Sequence, residues 1–217
     1  MDLLVTAGRT LGFSLAAGVN LYATVAMLGL ATRLGLVELP PQFAVFDNPW
    51  IIAVALTLYA VEFVADKVPW VDTLWDMLHT IVRPLGGALV AVSTLGEASP
   101  WVLGLVAVMG GTIAAGGHLT KAGTRAAVNL SPEPFTNWGL SLAGDAFVLA
   151  LGALAMAFPV AALVVTLVCL AAIVVMLRWL MGLIRRAASQ SDAGIGASAT
   201  PSSVPRPGTD GAAEWRG

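Results

Sequence analysis

The sequence predicts an all-α, polytopic transmembrane bundle of about six spans, with two amphipathic or re-entrant segments on the cytoplasmic side. Three observations predict it. Hydrophobic residues make up 58% of the 217 positions and charged residues only 11%, where a soluble domain carries about 25% charge. Mean hydropathy is +0.84. The apolar residues gather in six stretches, 11–32, 50–65, 81–96, 101–117, 138–158 and 159–181. A net charge of −2 gives no basic field for nucleic acid. A lone cysteine, Cys169, excludes an intrachain disulfide framework or a cysteine-based zinc site.

A hydrocarbon core of ~30 Å takes about 20 helical residues. The first, fifth and sixth stretches meet that length unaided. The second, third and fourth borrow polar flanks, around Asp66 and Lys67, His79 and Thr80, and Lys121. The first is too long for the apolar part of a signal peptide and no cleavage site follows it, so it is expected to be a retained helix. Six spans put Arg9, Lys67, Arg83, Lys121, Arg125, Arg178, Arg185 and Arg186 on one side. Arg33 is left on the other, beside Glu38, Asp47 and Glu97. The excess of cations predicts that both termini are cytoplasmic. Trp50 and Trp101 then mark outer boundaries, and Trp138 and Trp179 inner ones. Pro40, Pro41 and Pro49 place an outer loop at 35–49, and Phe158-Pro159 divides the last apolar run into two helices. Residues 1–186 form the membrane domain. The Ala/Ser/Gly/Pro-rich remainder, 187–217, is expected to be a disordered cytoplasmic tail.

Two polar segments carry the candidate chemistry. In the first, 62–84, Asp72, Asp76, His79 and Arg83 are spaced i, i+4, i+7, i+11 and share one helical stripe. Pro69 suits the first turn of that helix. The stripe is acidic at its start and basic at its end, as a dipole-matched surface helix would be. The same two carboxylates and imidazole could bind a divalent cation or relay protons. Upstream, Glu62 and Asp66 lie i, i+4 at the end of the second span. Glu62 sits among apolar residues and needs a cation, for which Lys67, Lys121 and Arg125 are the candidates.

The second segment, 118–138, is the complement. His118, Lys121, Arg125 and Asn129 share a basic face. That face either packs on the acids of the first segment or holds an anion such as a phosphate or lipid head group. Two prolines make 131–137 an extended turn, with Thr136 or Asn137 capping the next span. Ser141 and Asp145 follow inside that span. Asp145 is the deepest acid and a functional candidate, its bland alternatives being a pair with Lys121 or Arg125 or a hydrogen bond to the first helix. In the first span, Asn20 within Gly18-Val19-Asn20-Leu21-Tyr22 sits near mid-membrane, facing other helices. The two central hairpins share a layout, which suggests a degenerate repeat.

Glu62-Phe63-Val64-Ala65-Asp66-Lys67-Val68-Pro69, then Val71-Asp72, Asp76, His79-Thr80 and Arg83-Pro84, resembles a known pattern. So does Lys121-Ala122-Gly123-Thr124-Arg125, with Ser131-Pro132 and Asn137 after it, and the Ala-Ala-Gly of the first span. Over about 11–186 these resemble the bacterial membrane family described as domain of unknown function 4126, with Gly144-Asp145 standing where that family carries Glu-Asp. The resemblance implies an integral protein of the bacterial inner membrane and no particular activity.

Three functions follow. The first is a small transporter or channel whose site draws on Glu62, Asp66, Lys67, Asp72, Asp76, His79, Arg83, His118, Lys121, Arg125, Asn137 and Asp145. The second is a structural or accessory membrane protein with internally paired charges. The third is an enzyme on lipid or prenyl phosphate, with His79 or an acid for proton transfer and Arg83, Lys121 and Arg125 on the phosphate. No Gly-x-Ser-x-Gly, His-Glu-x-x-His or P-loop signature is present, which favours a non-enzymatic role. The expected partners are the bilayer and an anion, cation or lipid phosphate, with no nucleic acid. A homo-oligomer would enlarge the pathway that six short spans enclose. No metal or cofactor is specified by the sequence.

Overall fold

A computed structural model describes residues 3–128 and 134–198. The described residues form helices α1 (Leu3–Val19), α2 (Leu21–Arg33), α3 (Pro49–Ala65), α4 (Pro69–Leu95), α5 (Pro100–Val128), α6 (Pro134–Ala157) and α7 (Pro159–Ser198), with a 3-10 turn at Pro41–Phe46. Among them there is no strand. Each helix from α3 to α7 opens on a proline, where the missing N–H costs nothing and φ is already helical. Asn48 caps α3 by accepting from the N–H of Trp50 at 2.9 Å. Gly96, at φ +84°, supplies the left-handed residue that ends α4 before the turn to α5.

The chain divides into two compact units, Met1–Val174 and Val175–Gly217. The second contributes, among its described residues, the C-terminal part of α7. That helix runs through Ser198, so 187–198 is helical where disorder was expected, and 199–217 lies outside the described residues.

Four helices are long and apolar enough to cross a membrane: Trp70–Leu95, Pro100–Val128, Trp138–Ala157 and Pro159–Trp179. Leu3–Val19 and Pro49–Ala65 are apolar and shorter. The distribution of side chains is the reverse of a soluble protein. On α4, Leu74, Leu78, Ile81, Leu85 and Leu89 are exposed, while Asp72, Asp76, His79 and Arg83 are buried. The buried stripe continues through Gly87, Val90 and Thr94 at the same helical spacing.

The first apolar stretch is not one helix. Asn20 adopts an extended conformation (φ −149°, ψ 102°) between α1 and α2, and the chain turns back there. Gly12 lies against Ala155, and Val19 against Gly144, so α1 runs antiparallel to α6. Asn20 meets Asp145 and Met27 meets Gly152, so α2 runs parallel to α6. Phe13 of α1 and Met27 of α2 both contact Gly152. Together α1 and α2 form a helical hairpin with Asn20 at its tip.

Both ends of this hairpin lie where α4 meets α5 and α6 meets α7. Arg9 donates to the Met156 carbonyl at 3.5 Å, the hydroxyls of Thr10 and Thr94 are 3.5 Å apart, and Gln42 donates to the Thr94 carbonyl at 3.3 Å. The expected placement of Arg9 opposite the 95–100 turn is therefore corrected. Hydropathy measures the length of an apolar run and carries no sign for a reversal within it. The two polar segments are also not separate elements: the first takes in the end of α3, the connection 66–68 and the opening half of α4, and the second continues α5 to Val128 and reaches the start of α6. Pro84 sits inside α4 without ending it. α6 already begins at Pro134, so the capping turn expected at 136–137 is helical, and 129–133 lies outside the described residues.

The tip of the hairpin is held by close backbone approach. A Cβ at Gly18 would collide with the Ala114 carbonyl oxygen and lie 2.6 Å from the Ala114 Cα. Gly87 of α4 meets Ala114 from the other side. Small residues here let α1, α4 and α5 pack within backbone contact, the usual means of association where no hydrophobic drive operates between helices.

Candidate functional site

The end of α3, the opening half of α4, the last third of α5 and the opening half of α6 converge on one buried polar cluster, with the hairpin tip above it. α3 brings Glu62, with Asp66 just after it. α4 brings Asp72, Asp76, His79 and Arg83, α5 brings His118, Lys121 and Arg125, and α6 brings Ser141 and Asp145. Glu62, His79 and Arg83 are wholly inaccessible, and Asp76 is 9% exposed.

Two ion-pair groups organise the cluster. In the first, Arg83 Nη2 donates to Glu62 Oε1 at 2.7 Å and Lys121 Nζ donates to the same oxygen at 3.2 Å. In the second, Arg125 Nη1 donates to Asp66 Oδ1 at 2.7 Å and also bonds Asp72, while Nη2 donates to the Asp66 carbonyl at 2.9 Å. Lys121 links the groups by reaching Asp66 Oδ2 at 3.5 Å, and Ser141 donates to that oxygen at 2.9 Å. Burial opposes ionisation of Asp66, in the connection between α3 and α4. The charges of Lys121 and Arg125, with hydrogen bonds from Arg125 and Ser141, outweigh it and hold the carboxyl below its usual range.

His118 is neutral by its partners. His79 Nδ1 donates to the Trp75 carbonyl at 2.6 Å, and Nε2 lies 3.0 Å from the Tyr22 hydroxyl. Arg83 Nη1 donates to His118 Nδ1 at 2.9 Å, so the His118 proton lies on Nε2, which faces Thr80 Oγ1 at 3.2 Å. The His118 tautomer is assigned from the donors and acceptors around the ring.

Two carboxylates lie outside the ion pairs. Asp145 Oδ1 accepts from Asn20 Nδ2 at 3.0 Å, and Oδ2 accepts from the Tyr59 hydroxyl at 3.4 Å. Asn20 Oδ1 at the same time caps the N–H of Ala23, tying the hairpin tip to α6. Asp76 Oδ1 is buried and has no hydrogen-bond partner. Among the described residues neither carboxylate makes an ion pair, so five buried acids stand against Arg83, Lys121 and Arg125.

Of the residues singled out by sequence, all but two are in this cluster. Lys67 instead donates to the Phe63 carbonyl at 2.8 Å and lies over the Phe63 ring. Asn137 is in α6, and its side chain lies outside the described residues. Glu62 takes Arg83 and Lys121 as partners, not Lys67 or Arg125. The basic face of α5 packs on the acids. Asp145 takes the hydrogen bond to the first apolar stretch. Sequence reasoning missed Tyr59, although Tyr59, Glu62 and Asp66 are spaced i, i+3, i+7 on one stripe.

The geometry suits protons or small cations better than anions. All three cations already face carboxylates, which leaves a phosphate nothing to displace but an acid. Among the described residues no group of three or more His, Cys, Asp and Glu side chains is placed to hold a metal ion. Asp72 is turned to Arg125 and His79 to Trp75 and Tyr22, so the stripe does not converge on one point.

Neither a curated protein nor a solved structure gives a match to this chain. A family model described as a domain of unknown function does match, over residues 8–179, which takes in the hairpin, every helix of the cluster and all of its ionisable residues. By that match the chain belongs to the family designated domain of unknown function 4126.

Proposed function

We propose that the protein is a small transporter or channel of the bacterial inner membrane, in which the buried cluster passes or couples a proton. The observation that carries this reading is the surplus of two carboxylates, Asp76 and Asp145, over buried cations. An ionised carboxylate in a low-dielectric interior is costly, so each surplus acid favours holding a proton or a cation. In this reading α3 to α7 cross the bilayer, while α1 and α2 enter and leave from one face. The lysines and arginines gathered at the Asp66 end mark that end as cytoplasmic. Broken helices are tolerated at membrane depth where they line a polar site, and transporters place coupling sites at such breaks.

Pyranine-filled proteoliposomes under a potassium diffusion potential test it. The wild-type protein should carry protons faster than empty vesicles, and Asp145→Asn should reduce the rate by about tenfold or more, since the amide cannot take the proton. Equal rates in wild-type and empty vesicles would reject proton passage. The accessory reading has its own support, because every buried cation is internally neutralised. It predicts that Asp145→Asn leaves biological complementation intact.

A further inference from the structure

Between the opening turns of α4 and the last turns of α5 lies a cleft of about 210 Å³, whose polar lining is Asp72, Thr73, Asp76, Thr80 and Arg125. Arg125 is engaged by Asp66 and Asp72, so the charge left unbalanced in the cleft is that of Asp76. Asp76 is nine-tenths buried and lines this cleft, and its Oδ1 lacks any partner. A carboxylate at a cleft wall, with one oxygen shut from solvent and unpartnered, calls for a donor that carries positive charge.

The rest of the lining narrows the ligand. Met77 and Ala122 add apolar surface, and Ala126, at an exposed position, completes the mouth. A bare alkali or divalent ion wants a shell of several oxygens. Here Asp72 is occupied by Arg125, Thr73 is already engaged, and the Thr80 hydroxyl donates to the Asp76 carbonyl at 3.0 Å. An alkylammonium needs one anchoring carboxylate and an apolar wall for its carbon chain. At roughly 30 Å³ per water-sized group, the cleft takes a cation of at most about seven heavy atoms. It lies at the Asp66 end of the bundle, where a polar ligand can enter from water.

We propose that this cleft binds a small primary ammonium ion, its N–H groups on Asp76 and its alkyl chain along Met77, Ala122 and Ala126. The inference gives the transport reading a substrate class, but binding is measured at equilibrium and does not depend on flux. The test uses the full chain in detergent, titrated with ethylammonium chloride against sodium and potassium chloride at equal ionic strength. Melting temperature and calorimetric heat are the readouts. Wild type and Asp47→Asn, which removes a carboxylate at the other end of the bundle, should show a saturable response to ethylammonium alone. Asp76→Asn should lose it while melting no lower than wild type, because it removes an uncompensated buried charge. Ala126→Leu should lose it by filling the mouth with the charge intact. The inference is overturned by no saturable response in wild type, by a response that survives Asp76→Asn, or by an equal response to sodium or potassium. Saturable binding without proton passage would uphold the ammonium site and remove proton transport.

Discussion

Replacing Arg125 by methionine is expected to lower the stability of the protein by about 3–5 kcal/mol, the cost of stripping one partner from a buried ion pair. The two side chains are similar in volume, so lost packing contributes little. What is lost is the guanidinium that serves the Asp66 carboxylate at 2.7 Å, the Asp66 carbonyl at 2.9 Å and Asp72. Asp66 keeps Ser141 and Lys121, but Asp72 is left 1% exposed beside Asp76 with its cation gone. The double variant Arg125→Met with Asp72→Asn should recover a large part of the loss, since the stranded charge is then removed. Unfolding titrations in mixed detergent and SDS would read both numbers. A loss below about 1 kcal/mol for the single variant would mean that water screens these groups as it does a surface pair.

The second large effect is expected at Gly18. Gly18→Val forces a branched side chain into the backbone of Ala114, whose carbonyl carbon lies 2.8 Å from where a Cβ would stand. Backbone cannot rotate away as a side-chain tip can, so α1 and α5 must separate. Overpacking of this kind costs typically 1–3 kcal/mol, and with backbone as the obstacle the upper end of about 3 kcal/mol is expected. The displacement also moves Asn20 from Asp145, so proton flux should fall with stability. Gly104→Ala is the matched control. A Cβ there meets nothing within 4 Å, and alanine in a helix should add up to about 1 kcal/mol. Equal melting temperatures for Gly18→Val and wild type would mean that the hairpin tip is not held against α5.

Much of this architecture was legible in the sequence because it is written in local terms. The helical class follows from apolar runs, and Pro69 in the first turn of α4 is a backbone preference that needs no neighbour. The stripe Asp72, Asp76, His79, Arg83 is read from 3.6-residue periodicity, and α4 buries that stripe and continues it. Spacing could not tell whether such a stripe faces water at a surface or partners in the interior, because both present polar residues on one side. The complement on α5 decided that, and it was visible only as charge of the opposite sign.

The sequence by itself determined that the chain is an apolar helical membrane protein and which acids and bases share a face. Each of these depends on neighbours within a few residues along the chain. The tertiary structure alone decided that the first apolar stretch doubles back at Asn20, that Glu62 takes Arg83 and Lys121, and that Asp145 meets Asn20 and Tyr59 rather than a cation. The physical reason is common to all three. A reversal at one extended residue leaves hydropathy unchanged, and a buried charge takes the partner that packing brings into hydrogen-bond reach, whatever the distance between them in the chain.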